Sequence, residues 1–280
     1  MSTAILSPVV PYEQQLDADP EWALNEGSRH FDERSAVHRS LSKITAKLSE
    51  LGVPYAIAGG MALFRHGFRR FTEDVDILVS KDGLRRIHAE LEGRGYLPVF
   101  AGSKNLRDTE TGVRIEFLIS GQFPGDGKPK PVAFPEPEGI ELDGMTFLSL
   151  PRLIELKLAS GMTNPDRLKD LGDVQQLISL LLLPAEFNAS LHPFVRDKFD
   201  ELRQGTLVPP RRYYRFWPVT EAMSDSDTPD VLQAMLNDGV VLDESHRTAD
   251  HTCLMTTDPE IARKYDMHEE SEFFDADQAQ

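Results

Sequence analysis

The chain has 280 residues, of which 40% are apolar, and carries a formal net charge of -16. That length and apolar content suffice for one large or two ordinary cores, no run approaches the roughly 18 apolar residues of a membrane span, and a lone Cys253 excludes an internal disulfide. The charge is lopsided: residues 219–280 hold 16 acids against 3 bases, so the rest of the chain is close to balanced and lacks the overall basic field of a nucleic-acid binder.

With no basic and apolar leader at the N-terminus, a cytoplasmic protein without membrane contact is expected. Residues 1–30 lack periodicity and contain Pro8, Pro11 and Pro20, which reads as an arm. Val37, Leu41, Ile44, Leu48 and Leu51 recur at three- and four-residue spacing and predict a helix over Glu33–Leu51, ended by Gly52. Tyr55–Ala58 is a short apolar strand, Gly59-Gly60 a tight turn, and Met61–His66 the start of a second helix. In Glu73–Ser80, acids alternate with apolar residues as in a strand; a helix follows over Leu84–Arg94. Val113–Ile119 alternates again: Val113, Ile115 and Phe117 on one face, Arg114, Glu116 and Leu118 on the other. The Pro- and Gly-rich stretch Gly121–Gly144 reads as a loop, with a last short strand at Thr146–Leu148.

Beyond Pro151 the pattern turns helical. One helix carries Leu153, Ile154, Leu156 and Leu158 and breaks at Gly161. A second is capped by Asn164, and a third spans Pro193–Leu202. The acidic end contains Thr257-Asp258-Pro259-Glu260, a capping-box pattern for a short helix, and is otherwise read as a solvated appendage or a mimic of nucleic acid. The expected division is an N-terminal arm (1–30), a core (31–150), a helical region closing the site (151–205), and a linker with an acidic C-terminal segment (206–280).

The chemistry concentrates at IAGGMALFRHGFRRFTEDVDILVS. Two residues apart on a strand, Asp74 and Asp76 point to one face while Val75 and Ile77 point to the core. Paired carboxylates repel unless a cation lies between them, and a hard cation such as Mg²⁺ or Mn²⁺ suits oxygen ligands; two solvated acids at a strand end are the bland reading. Gly59 and Gly60 allow close approach of a phosphate to the backbone, or make a generic turn. Glu116, mid-strand, either faces the same site as a third acid or marks a sheet edge.

Together these residues resemble the DNA-polymerase-beta-like nucleotidyltransferase superfamily, whose signature is an apolar residue, Gly, Gly or Ser, a gap of roughly 9 to 13, then Asp, apolar, Asp or Glu. Here that is Ala58-Gly59-Gly60, a gap of 13, then Asp74-Val75-Asp76. Bacterial abortive-infection type toxins and minimal nucleotidyltransferases resemble it further through Arg70-Phe71-Thr72, Lys157, and the cluster of Arg167, Lys169, Asp170 and Asp173.

The resemblance implies an α+β fold: a mixed sheet flanked by helices, then a helical region. It implies that Asp74, Asp76 and Glu116 hold the metal and carry catalysis, and that Gly59, Gly60, Arg70, Thr72 and Lys157 bind a nucleoside triphosphate. Lys157 could equally send its ammonium to solvent, and Asp170 and Asp173 could pair with their own basic neighbours. Arg65 and Arg69 line an acceptor groove or form a solvated cluster. The expected activity is transfer of a nucleoside monophosphate to a hydroxyl of a tRNA, a protein or a small molecule. A toxin paired with an antitoxin or regulator is one setting. The alternative is a nucleotide- or partner-binding module without turnover, itself antitoxin-like.

Overall fold

The computed structural model describes residues 9–206, 213–216, 228–243 and 253–270. Contacts divide the chain into two units, Met1–Thr206 and Leu207–Gln280.

The first unit is α+β, with a mixed seven-stranded sheet flanked by helices. Its order is β3-β4-β5-β2-β1-β7-β6, from β1 (Tyr55–Ile57), β2 (Asp74–Val79), β3 (Tyr96–Pro98), β4 (Leu106–Asp108), β5 (Arg114–Ile119), β6 (Ile140–Leu142) and β7 (Met145–Phe147). β2 runs antiparallel to β1 and parallel to β5. Every second residue of β2 from Val75 is fully buried, so Val75 and Ile77 enter the core, and Ile115 and Phe117 of β5 do the same. The opposite face carries the charged groups Asp74, Asp76, Arg114 and Glu116 and, beyond them, Leu78 and Leu118.

Three helices precede the sheet: α1 (Tyr12–Ala18), α2 (Pro20–Phe31) and α3 (Ala36–Glu50). The expected arm is therefore helical from Tyr12 onward; residues 1–8 lie outside the described residues. Short polar helices escape a periodicity reading because polar contacts anchor them. Tyr12 is fully buried and donates to Glu26, which also accepts from Ala36 N at 2.8 Å; Arg107 clamps Glu13 at 2.7 and 2.9 Å. α3 has Val37, Leu41, Ile44 and Leu48 inward, and Ser35 caps it, with Oγ accepting from His38 N.

Gly59 and Gly60 open α4 (Gly59–Arg65) and are not a separate turn before it. Ser80 caps α5 (Lys81–Leu91), three residues ahead of the expected start. The expected loop over Gly121–Gly144 contains β6, and α6 (Leu150–Thr163) runs through Gly161 without breaking. There a Cβ would meet Leu171 Cγ at 2.6 Å, so Gly161 permits close packing against α7 (Leu168–Leu181). Asn164 caps a 3₁₀ turn over Pro165–Arg167 that leads into α7, and α8 (Pro193–Thr206) completes the unit.

In the second unit, four strands form an antiparallel sheet in the order β11-β8-β10-β9: β8 (Tyr213–Phe216), β9 (Val241–Asp243), β10 (Cys253–Thr256) and β11 (His268–Glu270). With α9 (Thr228–Asn237) and α10 (Pro259–Lys264) they enclose a small core of Met235, Val240, Leu254, Ala262 and Met267. The expected linker and acidic appendage is thus a structured segment where it is described; residues 271–280 lie outside that description. α10 is capped by Asp258, whose carboxylate accepts from Glu260 N and Ile261 N, one residue later than a box opened by Thr257. Among the described residues, no helix is long and apolar enough to cross a membrane.

Candidate active site

Parallel pairing of β2 and β5 sets Asp74 opposite Arg114 and Asp76 opposite Glu116. Alternation then brings Asp74, Asp76, Arg114 and Glu116 to one face. One carboxylate oxygen each from Asp74, Asp76 and Glu116 lies within 4.8 Å of the others. The third acid of the sequence reading therefore meets the pair across the strand boundary.

The three acids are compensated unequally. Arg114 Nη2 donates to Asp74 Oδ2 at 3.0 Å and lies 3.0 Å from Glu116 Oε1. Thr72 Oγ1 adds a hydrogen bond of 3.1 Å to Asp74 Oδ1. The Asp76 carboxylate has no hydrogen-bond or ion-pair partner among the described residues. Burial, then the charges of Asp74 and Glu116, push its carboxyl up to about 8 against the opposing pull of Lys157 and Arg167. An uncompensated acid between two others is the electrostatic signature of a site that lacks positive charge, and an all-carboxylate donor set suits a hard divalent ion.

The glycines seat this strand. Gly59 has φ +55°, and a Cβ there would run into the Asp76 carboxylate. At Gly60 a Cβ would come within 2.5 Å of Thr72 Oγ1, the group that holds Asp74. Each glycine thus makes room for one side chain of the carboxylate face, a packing role that a turn reading does not show.

Two cavities border the triad. Asp76, Glu116 and Gly59 line the first, with Leu153, Leu156 and Phe134 as apolar wall and Lys157, Arg167 and Asp170 as polar wall. The second is lined by Asp74, Arg114, Thr72, Arg70 and Lys169, with Glu13 and Glu73.

Lys157 is buried and does not send its ammonium to solvent: Nζ donates to Asp170 at 2.9 Å and to Asp173 at 2.7 Å. Ser160 and Arg167 also bond Asp170, and Arg70 Nη2 donates to Asp173 at 3.1 Å. Burial raises the Asp170 carboxyl, but Lys157, Ser160 and Arg167 together hold it below the usual carboxylate range. Arg65 instead pairs with Asp143, and Arg69 reaches Glu33 and lies over the Phe64 ring; neither lines the two cavities beside the acids.

Two features were missed from sequence. One is Arg114 between two acids, whose signal was its i, i+2 spacing to Glu116. The other is the fully buried His30, whose Nε2 lies 3.1 Å from Arg70 O and ties α2 to the lead-in of β2.

A solved structure resembles the chain. It is ANT(2")-Ia in complex with adenylyl-2"-tobramycin, at 14% identity and a TM-score of 0.38, the alignment covering 60% of this chain and 95% of that one. No protein-family model and no curated protein matches the sequence.

Proposed function

We propose that the chain is a nucleotidyltransferase that moves a nucleoside monophosphate from a triphosphate to an acceptor hydroxyl. The observation that carries this reading is the meeting of Asp74, Asp76 and Glu116 within 4.8 Å, seated against Gly59 at the junction of two cavities. Mg²⁺ or Mn²⁺ held by these three acids would supply positive charge opposite the phosphoryl oxygens.

In this reading the nucleotide occupies the cavity beside Asp76. Leu153, Leu156 and Phe134 offer apolar surface to a base. Gly59 lets the phosphate chain lie close to the backbone, and the half-exposed Arg167 in the cavity wall offers it positive charge, while Lys157 is taken up by Asp170 and Asp173. Thr72 and Arg70 act on that chain indirectly, by orienting Asp74 and by tying the β2 lead-in to Asp173. The acceptor comes to Asp74 through the second cavity, which gives the two substrates separate approaches to one centre. The acceptor oxygen bonds to the α-phosphorus as the bond to the bridging oxygen breaks. That electron pair leaves with pyrophosphate, and the hydroxyl proton passes to a carboxylate of the triad and on to water.

The test incubates the full chain with each labelled triphosphate and Mg²⁺, offering tRNA, protein and small-molecule fractions as acceptors. Asp74→Asn with Asp76→Asn should lower transfer by at least about 10³-fold, the scale of losing transition-state charge stabilisation. Transfer by that variant at the wild-type rate would end this reading. Tight Mg²⁺-dependent triphosphate binding without pyrophosphate release from any acceptor would mark a binding module instead.

A further inference from the structure

Of the charged groups on the carboxylate face, Arg114 has no part in the chemistry above, and its placement has a consequence for it. We propose that Arg114 is a built-in counter-cation that competes with a divalent ion for the triad and is drawn away by the triphosphate, so that ion and nucleotide bind cooperatively. The inference rests on the reading of Asp74, Asp76 and Glu116 as an ion site.

A single nitrogen, Nη2, stands 3.0 Å from an oxygen of Asp74 and 3.0 Å from one of Glu116, between two of the acids that would hold the ion. The guanidinium and a divalent ion cannot both hold that place. Arg114 is also incompletely bound. Its Nε is buried with no hydrogen-bond partner among the described residues, although a guanidinium carries five donors for planar anions. Its side chain is 39% exposed and borders the second cavity, so it has open space beside its present position. Glu116, which it touches, also lines the first cavity, so a phosphate chain reaching the triad from there offers the guanidinium more acceptor oxygens than two carboxylates and satisfies the idle donor as well. Nucleotide binding then removes the competitor and returns the acids to the ion. Reciprocity requires that the ion raise nucleotide affinity by the same factor.

The experiment titrates the full-length wild type, Arg114→Gln and Arg114→Lys with Mn²⁺ by calorimetry, alone and with a non-hydrolysable triphosphate. Arg114→Gln should bind Mn²⁺ alone roughly tenfold more tightly than wild type, within the usual span of coupling between sites. The gain in Mn²⁺ affinity that the triphosphate brings should shrink by a similar factor, and Arg114→Lys, which keeps a cation, should stay near wild type. Mn²⁺ binding by Arg114→Gln that is no tighter than wild type overturns the proposal. Should that variant not fold, the wild type decides alone: equal Mn²⁺ affinity with and without triphosphate overturns it. Asp74→Asn with Asp76→Asn in the same titration separates the two ideas. Unchanged Mn²⁺ binding there defeats the ion-site reading itself, whereas lost binding with no effect of Arg114→Gln defeats only the competition.

Discussion

Two acid clusters in the first unit draw on the same residue types and are compensated in opposite ways. On the β2 and β5 face, two of three carboxylates, Asp74 and Glu116, share one guanidinium, and the Asp76 carboxylate is left without a partner among the described residues. Between α6 and α7, Asp170 and Asp173 share Lys157, Arg167 and Arg70, with Ser160 completing the hydrogen bonds. Lys157, Asp170 and Asp173 are 8%, 5% and 7% exposed, so the second cluster is shielded from water and its charges act at short range. The contrast separates architecture from chemistry. A cluster that balances itself locks helices together, and one that falls short of positive charge could hold a cation.

The largest effect should come from unbalancing the locked cluster. Lys157→Met removes the cation that the buried Asp170 and Asp173 share, leaving them Arg167 and Arg70, and should cost about 3 kcal/mol, the low end of the penalty for breaking a buried pair. Urea unfolding measures it. A loss below about 1 kcal/mol, the range of exposed pairs, would mean the cluster is not a lock. Replacing Asp170 and Asp173 with Asn in the same chain should restore part of the loss, since no buried carboxylates then face each other without the lysine between them.

Gly59→Ala attacks the open cluster instead. It forces a side chain into left-handed backbone and into the Asp76 carboxylate, and should destabilise by roughly 1–3 kcal/mol. It should also weaken Mn²⁺ binding in calorimetry, because Asp76 must turn away. Stability and ion affinity both at wild-type values would show that the close approach has no consequence.

The smallest effect is a pH slope. Asp170 has a folded pKa below its unfolded value, so the unfolded chain binds more protons as pH drops. Its contribution is therefore full above the ordinary carboxylate range and lost as pH falls through it and below. Melting temperature followed from pH 6 to pH 3 should fall less steeply in Asp170→Asn than in wild type. Parallel profiles would remove Asp170 from the acid response.

Much of the carboxylate face was legible because strand alternation is local. From spacing alone Asp74 and Asp76 share a face, Val75 and Ile77 turn to the core, and Glu116 lies opposite Ile115 and Phe117 on its own strand. The pairing of β2 with β5 was not legible, since α5, β3 and β4 intervene and the register depends on contacts between distant residues. Arg114 shows the cost: its spacing puts it on the Glu116 face of its own strand, and only the pairing opposite Asp74 makes it the counter-charge of the site. The N-terminal helices were hidden for another reason. Buried polar groups such as Glu26 and His30 hold them, and these leave no apolar period in the sequence.

The order of residues by itself determined the short-range features: the amphipathic face of α3, the alternation in β2 and β5, the Asn164 cap, and the acid pair separated by thirteen residues from a glycine pair. Each follows from backbone geometry and side-chain direction within a few residues. Only the tertiary structure decided which acids lack positive charge, that Lys157 is spent on Asp170 and Asp173, and that the glycines make room for Asp76 and Thr72. Charge balance and close approach are sums over neighbours in space, and those neighbours come from all parts of the chain.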